Sequence, residues 1–415
     1  MNRGFYTIMA AQFFSSLADN ALIFVAIALL TSMNAPASFT PLLKLSFVLF
    51  YVVFAAFLGA FADSLPKGRV MFIANIVKVV GCAMIFMDVH PLIANAVVGF
   101  GAAVYSPAKY GILTELLPAE KLVAANGWIE GLTVLSIILG TAMGGLLVGP
   151  AGGAWLAAHV PVFSTANQAS LSVICAVYGV AALFNLKIPD TGARYPQQER
   201  NPLRLVSDFA NCCTTLWRDK LGQISLAVTT LFWGAGATLQ FIVIKWAERS
   251  LHMQLDKATG LIGAVAVGVA AGAALSAKIV PLRKSLTVIP LGILMGLVVA
   301  SMTLVHSVWL AYPLLALIGL LSGFFVVPMN ALLQHRGYVL MSAGHSIAVQ
   351  NFNENLSILT MLALYALMIT LKLDLNIIIL LFGFSLAGVM YLIMRRHAAN
   401  QAEHDSLALI GEHKH

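Results

Sequence analysis

Residues 6–32 read YTIMAAQFFSSLADNALIFVAIALLTS, and this stretch decides the fold. It holds a single charge, Asp19, near its middle. A helix rises about 1.5 Å per residue, and a hydrocarbon core about 30 Å thick takes about 20 apolar residues. The run is therefore long enough to cross a bilayer. The preceding MNRGF leads straight into it with no small-residue cleavage site, so the reading is a retained first span and not a signal peptide.

The rest of the chain repeats the pattern. Of 415 residues, 60% are hydrophobic and 10% charged, against about 45–50% and 25% in soluble domains. A soluble enzyme and a single-span receptor are both excluded. Apolar runs bounded by Gly, Pro and charge predict spans at 6–32, 41–62, 69–88, 91–117, 122–148, 168–188, 220–247, 257–278, 285–305, 308–334, 342–370 and 374–394. The runs do not alternate as barrel strands would, and lipid-exposed backbone must satisfy its own hydrogen bonds, so the spans are helices. The expected fold is an all-α integral membrane protein of twelve transmembrane helices in two six-helix halves.

Lysine and arginine set the orientation. One set of loops, with both termini, carries 17 of the 24 basic residues, and the other side carries 5: Lys44, Lys245, Arg249, Lys257 and Lys372. Both termini are expected in the cytoplasm. The net charge of +7 is mostly this bias, so no nucleic-acid partner is expected. The longest polar stretch, 189–219, divides a half at 1–188 from a half at 220–394, and 395–415 forms a cytoplasmic tail. Within the linker, Asn201-Pro202 resembles a helix start. Apolar residues then recur at helical spacing from Leu205 to Trp217, as in an amphipathic helix lying on a membrane surface.

The halves are weak repeats of each other. Tyr105-Ser-Pro107-Ala-Lys109-Tyr-Gly111 in span four answers to Val327-Pro328-Met-Asn330 in span ten. Gly59-x-x-x-Asp63 followed by Lys67-Gly68-Arg69 has a degraded echo in Gly272-x-x-x-Ser276 followed by Arg283-Lys284. An acidic residue at a span end can pair with basic residues across the turn. The charges also act simply as topology signals.

Five ionisable residues fall well inside spans: Asp19, Lys78, Lys109, Glu130 and Glu354. Each costs about 2.5 kcal/mol or more in lipid and is expected to face a cavity or a partner. Lys109, Glu130 and Glu354 lie about 12–18 Å from the cytoplasmic helix ends by residue count, so Lys109 is at the right depth to pair with either glutamate. Lys78 reads as a residue that snorkels along span three. Amides gather near these charges: Asn20 beside Asp19, Gln240 in span seven, Asn330 in span ten, and Gln350 and Asn351 before Glu354. Helix–helix hydrogen bonding explains one or two amides in a span better than it explains the four in span eleven. Small residues in 132–147 and 261–276 would let spans five and eight separate as a lateral gate. No phosphate-binding loop, acyltransferase pair or metal-ligand spacing occurs, and the four cysteines read as free thiols. No catalytic residue, metal or cofactor is expected.

The Gly59/Asp63/Lys67/Arg69 pattern resembles the loop 2–3 signature of the major facilitator superfamily, where it locks one arrangement of the half. Five segments together resemble the bacterial lysophospholipid transporter (LplT) family within it: AQFFSSLADNALI at 11–23, YSPAKYGI at 105–112, LFWGAGA at 231–237, GFFVVPMNALLQH at 323–335 and AVQNFNENL at 348–356. The resemblance implies a monomeric flippase of the bacterial inner membrane. It would move lysophosphatidylethanolamine and lysophosphatidylglycerol from the outer to the inner leaflet, where a cytoplasmic-side acyltransferase re-acylates them. It also implies that Asp19, Asn20, Lys109 and Glu354 line the polar cavity. Where that family carries an arginine in span seven this chain has Gln240, and Lys245 five residues on is the nearest cation. The competing function is a proton-coupled multidrug or small-molecule exporter of the same superfamily, with Asp19 or Glu354 as proton carrier.

Overall fold

The computed structural model describes residues 3–411 apart from 37–38, 160–164, 197, 200, 254 and 404. Among the described residues the chain is helical throughout, with no strand. In order the helices are α1 (Arg3–Ser32), α2 (Phe39–Val53), α3 (Ala55–Ser64), α4 (Lys67–Phe86), α5 (Pro91–Leu116), α6 (Leu122–Val148), α7 (Trp155–His159), α8 (Ala166–Leu186), α9 (Pro202–Arg218), α10 (Gly222–Ser250), α11 (Leu255–Ile279), α12 (Ile289–Ala300), α13 (Val308–Leu340), α14 (Ala343–Thr370) and α15 (Leu375–Glu403).

Eleven helical stretches are long and apolar enough to cross a membrane, and twelve when α2 and α3, bent by 71°, count as one. This is the expected set of spans. Helix ends follow local chemistry. Thr165 caps α8 by accepting the Gln168 N–H at 3.2 Å. Asn34 and Asp88, at φ 53° and 58°, follow α1 and α4 in the left-handed region that these residue types tolerate.

Two helices outrun their expected spans. α13 continues through Pro328 to Leu340, and α15 continues to Glu403. Charge marks where a helix leaves lipid, not where it unwinds. The emergent end of α15 is held by Arg396 to Gln223 at 3.1 Å, Asn400 to the Lys220 carbonyl at 3.1 Å and Lys220 to Glu403 at 2.9 Å.

The chain forms two compact units. The first comprises 1–116, 135–209 and 342–348, and the second 117–134, 210–341 and 349–415. In the first, Ala18, Leu22 and Val25 of α1 pack with Cys82 of α4, Val98 of α5 and Ile174 and Tyr178 of α8. In the second, α11 and α13 touch backbone to backbone: a Cβ on Gly268 or Gly272 would strike the carbonyls of Ala316 or Leu320, and one on Gly319 or Gly323 those of Val265 or Val269. The glycines of span eight thus serve packing against span ten. In span five, Gly140 and Gly144 press on Leu17–Phe24 of α1. At these positions the small residues let helix backbones pack closely. Leu135, Ile137, Ile138 and Leu139 of α6 are exposed, as lipid-facing side chains are.

Candidate functional site

The charge in the opening stretch finds its partner within the first unit. Lys78 Nζ donates to Asp19 Oδ2 at 2.7 Å and to Ser15 Oγ at 3.0 Å. The Tyr178 hydroxyl donates to Asp19 Oδ1 at 2.7 Å. Ser15 in turn donates to Asn75 Oδ1 at 2.7 Å, and the Lys78 ammonium lies 5.2 Å and 5.7 Å from the ring centres of Tyr105 and Tyr178. Lys78 is 1% exposed, whereas the Asp19 side chain keeps 21% of its surface open. The ammonium is enclosed and the carboxylate looks outward. Lys78, expected to snorkel, instead anchors the cluster. It sits about 17 Å from one end of α4 and about 12 Å from the other by residue count, too deep for its stem to reach water. Tyr178, Ser15, Asn75 and Tyr105 also went unread in the sequence, being uncharged side chains whose role depends on tertiary neighbours. Asn20, next to Asp19, bonds its own helix at the Ser16 carbonyl, 2.8 Å away.

A second node forms at the end of α3. Asp63 is 6% exposed and receives Lys67 Nζ at 2.7 Å, the Gly344 N–H at 2.9 Å and the His345 N–H at 3.2 Å. The Ser342 hydroxyl donates to it as well. A carboxylate against the first N–H groups of α14 satisfies donors the helix cannot and meets the positive end of its dipole. The approach depends on glycine: a Cβ on Gly344 would sit 2.7 Å from the Asp63 carboxyl carbon, and one on Gly59 would sit 3.0 Å from Ala348 Cβ. Lys67 also reaches Glu115 at 3.3 Å, which accepts from the hydroxyls of Thr191 at 2.7 Å and Tyr195 at 2.8 Å. Burial and the Glu115 carboxylate push the Tyr195 phenol well above its ordinary range, so it stays a donor. Arg69 is exposed and joins no ion pair among the described residues. It lines a cavity of about 320 Å³ with Lys67, Glu115, Asp190 and Arg194. There Arg194, then the Gly192 N–H, hold the Asp190 carboxyl down to about 2.

In the second unit the polar residues are mostly amides. Gln350 donates to Glu354 Oε1 at 2.8 Å and to Asn330 Oδ1 at 3.1 Å. Asn126 and Gln334 exchange hydrogen bonds at 2.8 Å and 2.9 Å. Glu354, Glu130, Asn330, Gln350 and Asn351 are all buried, and Glu130 is close enough to act electrostatically on Glu354. Gln240 on α10 is half-buried. Asn353 and Asn355 bond their own helix four residues back, each at 2.8 Å. Lys109 belongs to the first unit, its ammonium 4.1 Å from the Tyr110 ring centre.

Membrane-crossing helices that bury an ion pair and a carboxylate–amide cluster fit the class of multi-pass membrane transport proteins. The family model of the Major Facilitator Superfamily matches residues 8–359. Lysophospholipid transporter LplT of Escherichia coli O9:H4 (strain HS) is 42% identical over 401 residues, 95% of this chain and 97% of that protein. Lysophospholipid transporter LplT of Yersinia enterocolitica serotype O:8 is 42% identical over 372 residues, 89% and 88% of the two. Among solved structures, the transporter FucP in the outward conformation superposes with a TM-score of 0.71 at 13% identity, over 95% of this chain and 98% of that one. A bacterial homologue of the iron transporter ferroportin in an outward-facing state gives 0.70 at 13%, over 97% and 100%. These two likenesses speak to fold. The chain belongs to the major facilitator superfamily and, within it, to the family of the lysophospholipid transporter LplT. It is a transporter and not an enzyme.

Proposed function

We propose that the protein moves lysophospholipids, chiefly lysophosphatidylethanolamine and lysophosphatidylglycerol, from the outer to the inner leaflet of a bacterial inner membrane. A cytoplasmic-side acyltransferase then re-acylates them. The protein works as a monomer with both termini in the cytoplasm. The observation that carries this reading is the 42% identity to LplT over 95% of the chain. The site chemistry supports it. The part-open Asp19 carboxylate suits an ammonium head group, the amides around Glu354 suit glycerol hydroxyls, and Lys109 adds a cation that suits the phosphate. Asp63, Lys67 and Gly59 act as a latch that holds residues 342–348 in one arrangement.

The test is uptake of labelled lysophosphatidylethanolamine into proteoliposomes with and without a pH gradient. Uptake supports the reading, and its absence overturns it. A second reading, a proton-coupled exporter of small molecules, is favoured by the two neighbouring buried carboxylates Glu130 and Glu354. It predicts no lysolipid flux and a drug flux that collapses with the gradient.

A further inference from the structure

The carboxy-terminal end of α10 and the turn between α14 and α15 enclose a cavity of about 450 Å³ within the second unit. Lys245, Arg249 and Lys372 line it against one carboxylate, Asp374. Asp374 is already engaged, accepting the Asn376 N–H at 2.8 Å at the start of α15. Lys245 pairs with Glu248 at 2.9 Å in an exposed contact that Arg249 also feels, so among the described residues the lining still carries more positive than negative charge. Aliphatic side chains, Ile369 and Leu373 among them, form the remaining wall. Lys372 has φ 56°, a conformation uncommon for a residue with a side chain, so the tight turn fixes where its stem starts.

Two arguments give this cavity meaning. The outer side of the chain is poor in basic residues by the topology rule, yet three of the five assigned there meet at one place. Cations beside an aliphatic wall, where helices leave the bilayer, complement a phosphodiester with an acyl chain attached.

We propose that this cavity is where a lysophospholipid first docks from the outer leaflet, its phosphodiester against Arg249 and Lys372 and its single chain along Ile369 and Leu373. The inference rests on the lysophospholipid reading above and adds an entry site distinct from the mid-membrane cluster. Both cations are exposed, so their removal leaves the fold intact.

The experiment is initial-rate uptake of labelled lysophosphatidylethanolamine by the full chain in phosphatidylcholine proteoliposomes, comparing wild type with the double variant Arg249→Gln/Lys372→Gln. The expected result is a KM raised about 25-fold, from roughly fivefold for each of the two cations near a lipid surface, with kcat unchanged. An unchanged KM overturns the site, and so does a fall in kcat alone, which would place the two residues in translocation. Millimolar inorganic phosphate should leave the wild-type KM unchanged, and competition by it would overturn the assignment to lipid. A wild type without uptake removes the underlying reading and the entry site with it, an outcome distinct from a transporting wild type with an indifferent variant.

Discussion

Removing one partner of the Asp19–Lys78 pair leaves the other charge enclosed, which typically costs about 3–5 kcal/mol. Lys78→Ala should therefore lower the melting temperature in detergent and abolish transport. The double neutral variant Asp19→Asn/Lys78→Met should recover most of the stability and none of the flux. A double variant that transports would assign the pair to packing alone. Asp19→Ala strands the more enclosed of the two charges, the Lys78 ammonium, and should lower the melting temperature at least as far as Lys78→Ala and carry no substrate. At this scale the sequence was informative about which residues are costly and poor at naming their partners. Asp19 stands out because a carboxylate in an apolar run has no other explanation. Its partner did not, because a lone lysine in a span has the ready alternative of snorkelling, and only helix packing shows that α4 gives it no exit. Lys78 meets the charge of Asp19 from within the same unit.

Among elements, the α3–α14 contact yields a graded prediction. Gly344→Val puts methyl groups where the Asp63 carboxyl lies and should cut transport about as deeply as Asp63→Ala. Arg69→Ala, at an exposed side chain, should cost much less than Lys67→Ala. Parity between the two basic variants in the uptake assay would show that the turn matters only through its charge. On α9, burial pushes the Cys213 thiol up to about 11, with neighbouring Cys212 adding to the shift. With the other cysteines replaced by serine, the maleimide rate at Cys213 should climb about tenfold per pH unit from 7 to 10. A plateau by pH 9 would mean that the thiol is solvated. Span positions were legible because each needs about twenty apolar residues. The 71° bend between α2 and α3 was not: residues 50–57 read FYVVFAAF, with neither Pro nor Gly to announce it. Phe54 at the break packs edge-on against Phe100 and stacks on Phe50, contacts that exist only once α5 is in place.

For the whole molecule, the predictions concern topology and coupling. A reporter fused after Arg396 should read cytoplasm, and a periplasmic signal would break the even span count. Lys109 and Glu354 lie in different units. Lys109→Ala and Glu354→Ala should each lose most uptake, and Lys109→Glu/Glu354→Lys should regain part of it if the two act as a pair. Failure of the swap would assign one of them to the head group directly. The spans themselves were legible because bilayer thickness acts on long stretches of sequence. The assignment of 342–348 to the first unit was not, since it depends on one carboxylate meeting a helix start 281 residues away in the chain.

The Asp19–Lys78 contact has an electrical consequence. Carboxylate and ammonium sum to zero, and so do the phosphate and ammonium of lysophosphatidylethanolamine. If the head group swaps partners with this pair, no net charge crosses the field at the cluster, whichever way the protein faces. Uptake of that lipid should then be indifferent to membrane voltage, whereas lysophosphatidylglycerol, one charge short of neutral, should speed up or slow down as an imposed potassium diffusion potential is reversed.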